Sequence, residues 1–391
     1  MTAFAGGSIE CFAGPQEKGA PDDLEQVIVD FIDGARRELQ VAVQELDNEP
    51  IARALVRARL DRRVDVEVFL EQDYLVEAWS AADLDRMRLP GESDADAHER
   101  LVWGDADLPL NANRRLLGAL QRAKIDVKAD LNPAIFHQKF IVRDVRGGAG
   151  TDPALLTGSA NFTDTDAHAN LNHAVVFHDQ RIAQEYFSQF NQMREGDFGR
   201  GALSALPPRD YLLDGVPVRI LFSPDNVPEL ELVKQMLKLR KLDGRLHFAI
   251  FTFSSTSAVD DALSMLARAG VNVRGVLDRG QNRSRPWSGA WRLHEPRIEL
   301  FLPKSSWRLR KVHHKLMVID EATVAAGSFN YTADANDFND ENLFVVGSPD
   351  PQIDGKPVDA AECARITGFF RDEIERIITH CDPWTPPDPP G

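Results

Sequence analysis

The sequence contains few cysteines and no long apolar stretch. Three cysteines in 391 residues (Cys11, Cys363 and Cys381) are too few and too scattered for a disulfide framework or a structural zinc site. No apolar run approaches the roughly 18 residues of a transmembrane helix. The first residues lack the basic start and the apolar run of a secretory signal peptide. These absences predict a cytoplasmic protein.

Positive charge is also in short supply. Lys and Arg number 45 against 61 Asp and Glu, which gives a formal net charge of −16. This excess argues against a protein that coats nucleic acid or an anionic membrane through its overall electric field. It is compatible with a local basic site on an acidic body. The hydrophobic fraction of 43% is that of an ordinary globular protein.

The chain repeats itself over two long segments. Residues 10–72 and 218–279 each read as strand, helix, strand, helix and strand, and Val64 and Phe12 match Val271 and Phe222. Alternating strands and helices favour parallel βαβ units, and continuous apolar strands suit a sheet that is buried on both faces. The sequence therefore predicts an α/β fold of two duplicated halves, each a mostly parallel sheet flanked by helices.

Pro and Gly mark the expected boundaries of the halves. The segment around 201–215 contains Pro-Pro and Gly breakers, which predicts an N-terminal half over 1–205 and a C-terminal half over 206–382. The Pro-rich residues 383–391 are expected to form a loose tail.

Each half carries the same set of polar residues in the same order. Both copies fit His-x-Lys-x4-Asp, with His137, Lys139 and Asp144 in FHQKFIVRD and His313, Lys315 and Asp320 in VHHKLMVID. A Gly-Ser-x-Asn turn follows each copy, with Ser159 and Asn161 in the first half and Ser328 and Asn330 in the second. Repetition of the whole set argues against core packing as its cause.

The set suits chemistry at a phosphodiester. Alternate residues of a strand share a face, so each histidine points the same way as its lysine. Two lysines and two asparagines could stabilise the negative charge that develops on the non-bridging oxygens. One histidine could attack phosphorus while the other protonates the leaving oxygen.

These motifs resemble the two HKD motifs of the phospholipase D superfamily, and the resemblance covers nearly the whole chain. It implies one active site at the interface of the halves, a phosphohistidine intermediate and no metal cofactor. It implies a site built from His137, Lys139, Asn161, His313, Lys315 and Asn330, with Ser159 and Ser328 supporting the phosphate. For Asp144 and Asp320, which complete the motifs, it implies local orientation and charge pairing.

The halves differ where a polar residue precedes an apolar strand, at Asn172 and Glu341. In two-motif relatives this residue reaches the histidine of the other half, so the resemblance pairs Glu341 with His137 and Asn172 with His313. A carboxylate stabilises a charged imidazole better than an amide does. We therefore expect His137 to be the nucleophile and His313 the general acid.

The remaining histidines have a simpler interpretation. His314 follows His313 on a strand and is expected to face away from the site. The spacing of His168, His173 and His178 matches no metal-binding signature, which favours structural or surface roles.

Residues 279–315 reverse the acidic character of the chain. They contain ten Lys or Arg and three tryptophans, and their only acids are Glu295 and Glu299. Cations beside aromatic rings are typical of a groove for nucleic acid, with Arg308, Arg310 and Lys311 as candidate contacts. The alternative is a solvated basic loop with tryptophans packed beneath it.

The corresponding stretch of the first half, residues 71–108, is acidic. An inert surface is the simplest interpretation, and a partner-docking element or a lid over the basic groove are the alternatives.

The sequence favours a metal-independent phosphodiesterase that acts as a nuclease on DNA or RNA. Family nucleases are associated with bacterial antiviral defence, although these residues do not show that role. A phospholipase D or phosphatidyl transferase is the alternative enzyme. A nucleic-acid-binding effector subunit, active only within a complex, is the alternative from another class.

Overall fold

The computed structural model describes residues 2–75, 89–93, 112–201, 207–239 and 243–387. Most of the acidic segment 71–108 lies outside these ranges, so an inert surface, with a docking element or a lid as the alternatives, stays a prediction. Within the described ranges, no helix has both the length and the apolar composition that crossing a bilayer requires. The three cysteines are buried and free.

The first sheet contains the strands of the N-terminal half. They are β1 (Thr2–Phe4), β2 (Ile9–Gly14), β3 (Glu38–Val43), β4 (Asp65–Leu70), β5 (Asp126–Ala129), β6 (Lys139–Arg143), β7 (Ala154–Gly158) and β8 (Asn170–Phe177). Their order across the sheet is β1-β2-β8-β7-β6-β3-β4-β5.

The second sheet contains most strands of the C-terminal half. The strands of that half are β9 (Arg209–Leu213), β10 (Val216–Ser223), β11 (Arg245–Ile250), β12 (Asn272–Leu277), β13 (Ile298–Pro303), β14 (Lys311–Val312), β15 (Lys315–Ile319), β16 (Thr323–Gly327), β17 (Glu341–Gly347), β18 (Gln352–Ile353), β19 (Lys356–Pro357) and β20 (Cys381–Trp384). The sheet order is β20-β13-β12-β11-β15-β16-β17-β10-β9, and β18 pairs with β19 in a separate hairpin.

Helices pack on the faces of these sheets. They are α1 (Leu24–Asp33), α2 (Glu49–Leu60), α3 (Ala112–Arg122), α4 (Asp164–His168), α5 (Gln180–Glu195), α6 (Pro228–Met236), α7 (Ala258–Arg268), α8 (Arg279–Asn282), α9 (Ala333–Asp337) and α10 (Ala360–Thr379). Side-chain caps start several of them. The Asn48 side chain accepts from the Ile51 N–H at the start of α2, and Asp179 accepts from the first turn of α5.

The two sheets repeat one strand order. The path β2-β8-β7-β6-β3-β4-β5 has its counterpart in β10-β17-β16-β15-β11-β12-β13, which confirms the α/β fold with two duplicated halves. Within each half, β3-β4-β5 and β11-β12-β13 pair in parallel, whereas β6 to β8 and β15 to β17 pair antiparallel. The sheets are therefore mixed, because consecutive motif strands are joined by short returns instead of crossover helices.

The register corrects one predicted correspondence between the halves. Gly14 pairs with Asn172 in the first half, and Ser223 pairs with Glu341 in the second, so the counterpart of Phe12 is Leu221. Phe222 lies one residue further along its strand. A shift of one residue moves a side chain to the opposite face of a sheet. Phe12 accordingly packs in the core beneath the helices of the first half, and Phe222 packs between the halves.

Three hydrophobic clusters hold these layers together. One lies in the first half beneath α1, α2 and α3, and a second lies in the second half beneath α6 and α7. The third, which we call the central core, joins both sheets through α5 and α10. Tyr186 of α5 lies there between Phe140 and Phe222, with ring centroids 5.0 and 4.9 Å away. The residues of the two halves that face each other are thus surrounded by apolar packing.

The last strand includes the start of the expected Pro-rich tail. Pro383 and Trp384 belong to β20, which pairs antiparallel with Phe301 and Leu300 of β13. β20 lies at the edge of its sheet, where a proline is tolerated because no neighbouring strand needs its missing N–H.

Backbone hydrogen bonds also cross between the halves. The His137 N–H donates to the Asp340 carbonyl oxygen at 3.0 Å, and the His313 N–H donates to the Leu171 oxygen at 2.9 Å. β14 pairs in parallel with the start of β8, and Phe136 forms an equivalent bridge to Asp340. Each motif is thereby tied to the opposite half, one residue before Asn172 or Glu341.

Two histidines are stacked in the central interface. His173 and His314 are fully buried, their rings are nearly parallel, and their Nδ1 atoms are 3.1 Å apart. Burial and their mutual proximity lower the pKa of His173, and burial also lowers the pKa of His314. Both predicted non-catalytic roles agree with this placement, since neither residue lines the cavity between the motif histidines.

We predict that this pair makes the fold acid-labile. A histidine whose pKa is lowered by folding costs stability when the unfolded chain takes up its proton, that is, as pH falls through about 6.5. His173→Gln should therefore flatten the fall in thermal stability between pH 7.5 and 5.5 by up to about 1.4 kcal/mol per pH unit. Exposed His294→Gln is the control. Equal pH dependence in both variants and the parent would contradict the prediction.

Candidate active site

The motif histidines and lysines lie where their strands enter the interface. His137 and Lys139 precede and begin β6, and His313 and Lys315 precede and begin β15. Each lysine Nζ donates to the backbone oxygen of its own histidine at 2.8 Å. Both lysines are 1% exposed, so their positive charges lie in the protein interior, beneath the histidines.

The predicted cross-pairing of the halves is present. His137 Nδ1 lies 2.6 Å from Glu341 Oε2, and His313 Nδ1 lies 3.0 Å from Asn172 Oδ1. In both pairs Nδ1 is engaged, which leaves Nε2 as the free ring nitrogen for chemistry. Glu341 is therefore a positioning residue.

The serines of the Gly-Ser-x-Asn turns stand behind these pairs. Ser328 Oγ donates to Glu341 Oε2 at 2.7 Å, and Ser159 Oγ donates to Asn172 Oδ1 at 2.8 Å. Both serines and Asn172 are fully buried and are absent from the cavity wall. The structure thus corrects the implied contact of the two serines with the phosphate, because each hydroxyl instead orients the side chain that pairs with a motif histidine.

The turns need glycine where they approach the next strand. A Cβ on Gly158 would collide with the His173 carbonyl oxygen, and one on Gly327 would collide with the Asn342 oxygen. The same close approach allows the Ser159 and Ser328 N–H groups to donate to those two oxygens at 3.0 Å.

A cavity of 460 Å³ lies between the halves and is lined by both histidines. Asn161 and Asn330 also line it, as the motifs predict. The Asn330 side-chain oxygen accepts from the Thr252 N–H at 3.3 Å. This bond uses the oxygen of the amide and leaves its N–H groups for another acceptor. The cavity thus offers two imidazoles and two amides to a bound group.

The two walls of the cavity differ in charge. Glu45, Asp47, Tyr74 and Asp166 line it from the first half, and the second half contributes cations at Arg310 and Lys311 together with Phe251, Thr252 and Asp334. Val43 and Ile250 pair with the motif lysines in equivalent registers, so Glu45 and Thr252 occupy matching positions. Sequence reasoning missed the acidic wall. The only signal was the polar run Gln44-Glu45 directly after a buried strand.

Burial and the lysines set the protonation of the site. Burial raises the pKa of Glu341 to about 8, and burial with Lys139 and Lys315 holds the pKa of His137 well below its usual value. Burial and the same lysines lower the pKa of His313. Burial lowers the pKa of Lys139 to about 8. Neutral imidazoles follow, and a neutral imidazole is the form that a nucleophile or a base requires.

Asp144 and Asp320, the last motif residues, lie away from the cavity. Asp144 follows the far end of β6, about 16 Å along the strand from Lys139. Its carboxylate accepts the N–H groups of Arg36, Arg37 and Glu38 at 2.7 to 3.1 Å. Asp320 accepts the Arg245 N–H at 2.8 Å. Both carboxylates therefore hold backbone N–H groups away from the cavity, an orienting placement of the kind that the resemblance implies.

Both aspartates serve the turn that ends a strand. Asp144 and Asp320 have φ angles of 53° and 50°, in the left-handed region that aspartate tolerates better than most residues. The spacing from histidine to aspartate is the same in both halves because it spans one strand, with the site at one end and the turn at the other.

The basic segment is not one continuous groove. Arg310 and Lys311 line the cavity. Arg297 instead stands directly before the first residue of β13, at the other end of that strand, and pairs with Asp243. Trp307 stacks on His380 at 4.6 Å, and Trp291 donates to the Asn282 oxygen. The contacts of these two tryptophans match the alternative interpretation for their part of the segment, while Arg310 and Lys311 remain at the site and Arg308 is exposed two residues earlier.

The other histidines lie in surface and interface contacts. His168 pairs with Glu17 and Glu25, and His178 pairs with Glu10 and Asp152. Within the described ranges, no three His, Cys, Asp or Glu side chains are arranged to hold a metal ion.

The family model described as "Cardiolipin synthase, PLD-like domain" matches residues 28–194 and 233–354. The chain belongs to the phospholipase D-like family. The matched ranges include both motifs and both turns, so the family covers the whole site described above.

Curated relatives of the family match parts of this phospholipase D-like chain. A phospholipase D of Rickettsia conorii is 36% identical over 74 residues, which are 19% of this chain and 34% of the relative. A mitochondrial cardiolipin hydrolase of Xenopus laevis is 34% identical over 150 residues, which are 38% of this chain and 62% of the relative. The chain thus spans about a third to under two thirds of these relatives.

Solved structures share the fold. A phosphatidylserine synthase from Haemophilus influenzae superposes with a TM-score of 0.62 at 12% identity, covering 98% of this chain and 89% of the synthase. A polyphosphate kinase from Porphyromonas gingivalis gives a TM-score of 0.56 at 15% identity, covering 96% of this chain and 55% of the kinase. At these identities the likeness establishes the architecture alone.

We predict that Asp144→Ala is a stability variant. Three backbone N–H groups would lose a charged acceptor, which should lower the free energy of unfolding by about 2–4 kcal/mol. Activity per folded molecule should stay within about twofold, since the cavity is untouched. Urea unfolding and turnover of the same preparations measure both effects. Asp320→Ala, which removes one such bond, should cost less. Lost activity at unchanged stability would contradict this assignment.

Proposed function

We propose that this protein hydrolyses phosphodiester bonds through a covalent intermediate on His137. The 2.6 Å pair between His137 and Glu341, opposite His313 across one cavity, carries the proposal. An ordered, neutral imidazole faces a second imidazole, and two buried lysines supply positive charge behind them.

In the first step His137 Nε2 attacks phosphorus and the bond to the leaving oxygen breaks. Glu341 holds the Nδ1 proton of His137 and compensates the positive charge that the ring acquires. His313 gives its proton to the leaving oxygen, which departs as an alcohol. Lys139, Lys315 and the amides of Asn161 and Asn330 stabilise the charge on the non-bridging oxygens.

In the second step water replaces His137. His313, now neutral, takes a proton from the water as its oxygen attacks phosphorus, and the phosphorus–nitrogen bond breaks. A phosphate monoester and free His137 result. An anionic substrate opposes the lysine charges, and this raises the pKa of His313 so that its proton arrives together with the substrate.

The assignment of roles predicts different effects for the two histidines. His137→Ala should abolish any covalent phospho-enzyme. His313→Ala should slow both steps, and with a good leaving group it should let the intermediate accumulate because water lacks its base. Samples containing 32P-labelled substrate, prepared in EDTA and quenched with denaturant at alkaline pH to preserve the phosphorus–nitrogen bond, measure the intermediate by mass spectrometry and radioactivity. Label trapped on His313 in the His137→Ala protein would reverse the assignment.

We propose nucleic acid as the substrate class. Arg310 and Lys311 line the cavity, and Arg308 is exposed two residues before Arg310. Such cations can contact the phosphates that flank a scissile phosphodiester. The single most informative experiment incubates the protein in EDTA with single-stranded DNA, duplex DNA, RNA and phosphatidylcholine.

A lipid phosphodiester is the second candidate. The curated relatives include a phospholipase D and a cardiolipin hydrolase, and the acidic wall at Glu45 and Asp47 opposes a continuous polyanion on that side of the cavity. An effector subunit active only within a complex would instead show no turnover alone and would gain it with its partner.

The substrate proposal predicts the effect of Arg308→Ala, Arg310→Ala and Lys311→Ala combined. Binding of DNA or RNA should weaken strongly at low salt, and the log–log salt slope should flatten by about one unit for each lost phosphate contact. Loss of turnover on a small chromogenic phosphodiester should be much smaller, because both motifs remain.

A matched control removes three cations away from the cavity: Arg245, which begins β11, Arg297, which precedes β13, and Arg371 on α10. Its nucleic-acid affinity should equal that of the parent. Equal affinity of the parent and the first triple variant would place the groove elsewhere. Hydrolysis of phosphatidylcholine by a parent that ignores nucleic acid would establish the second candidate.

A further inference from the structure

We propose that Asp166 is the acidic positioning residue of His313, and so does for this histidine what Glu341 does for His137. The inference rests on the proposed function for its catalytic consequence. Its structural basis, a buried carboxylate directed at one imidazole, stands on contacts alone.

The contacts of Asp166 are those of an ordered carboxylate. Asp166 is 2% exposed, and its Oδ1 lies 3.5 Å from His313 Nδ1. Oδ2 accepts the Asn161 N–H at 2.7 Å, and Oδ1 accepts the Asn170 side-chain N–H. N–H donors on both oxygens suit the charged form of the acid. At 3.5 Å the carboxylate is too far for a strong hydrogen bond to His313 but close enough for charge stabilisation.

The same aspartate holds the neutral partner of His313. The Asn172 side-chain N–H donates to the Asp166 backbone oxygen at 3.0 Å, which directs Asn172 Oδ1 towards His313. The ring Nδ1–H thus faces an amide oxygen at 3.0 Å and a carboxylate oxygen behind it.

Comparison of the halves shows an exchange of positions. Ser159 matches Ser328, so Asp166 corresponds to Ala335 and Asn172 corresponds to Glu341. In the second half Asn339 donates to Glu341 Oε1 at 3.4 Å, and in the first half its counterpart Asn170 donates to Asp166. The asparagine serves the local carboxylate in both halves, although the carboxylate stands at different positions. Each motif histidine therefore has one acidic neighbour.

An acidic neighbour matters most for the histidine that must carry a proton. Besides burial, the side chains that lower the pKa of His313 are Lys315 from β15, Lys139 from β6, His137 opposite and Lys311 from β14. All of them disfavour imidazolium. The negative charge of Asp166 from α4 offsets these positive charges, so that His313 can hold a proton for the leaving oxygen.

The first test removes the charge and keeps the shape, in Asp166→Asn. Asp164→Asn is the control, because it removes an exposed charge from the same helix. Titration of 15N-labelled histidines by NMR, with the His313 signal identified from its loss in His313→Gln, reports the pKa without any need for turnover. We expect the His313 midpoint to fall by at least half a unit in Asp166→Asn and to stay in Asp164→Asn. An unchanged midpoint in Asp166→Asn overturns the proposal.

The kinetic test compares leaving groups. Asp166→Asn should slow an alkyl phosphodiester, whose departure needs a proton, by about 10–100-fold, and a p-nitrophenyl diester by less than about threefold. The alkaline limb of the rate profile should move to lower pH. Equal slowing of both substrates means that Asp166 only supports the fold, and the proposal is then wrong. Absence of turnover in the parent would defeat the proposed function, while the NMR shift would still decide on Asp166.

A rescue by relocation completes the design. The double variant Asp166→Ala with Asn172→Glu copies the Ala335 and Glu341 arrangement of the other half. On the alkyl substrate it should be at least about tenfold faster than Asp166→Ala. If it stays as slow as Asp166→Ala, the aspartate acts by holding Asn161 and Asn170, and the assignment fails.

Discussion

The backbone hydrogen bonds that cross between the halves control the whole site. They fix His137 against Asp340 and His313 against Leu171, which places each imidazole beside the next residue of the opposite strand. Neither half has an oriented histidine by itself. The central core then surrounds these bonds with apolar side chains from both sheets, so water does not compete for them.

Buried charge is the second constraint. Two lysines that are 1% exposed would be costly without compensation. Their Nζ atoms have backbone partners, and the carboxylates of Glu341, Asp166 and Glu45 lie near enough to favour the charged form of Lys139. The site is therefore a cluster of balanced charges, and for the proposed phosphodiester substrate the lysine charges would attract the anion.

The sequence predicted the halves and the paired histidines because they repeat. A repeated motif on repeated strands marked Glu341 and Asn172 as counterparts, and the family resemblance implied their pairing with the opposite histidines. Strand direction did not follow, since a short apolar run such as β7 pairs either way. Asp166 was missed because its counterpart, Ala335, breaks the repeat. The predicted groove was too long because Arg297 precedes β13 and Arg310 follows it, so the two cations lie towards opposite ends of that strand.

The unequal walls of the cavity give the substrate a direction. Two identical halves would present the same surface to both ester oxygens of a phosphodiester, and the substrate would bind equally well either way round. Here Glu45 stands where the other wall has Thr252, and Arg310 and Lys311 lie on one side alone. The two orientations therefore differ in energy. On the function proposed above, duplication within one chain sets which of the two phosphorus–oxygen bonds of the substrate lies beside His313, and hence which product keeps the phosphate.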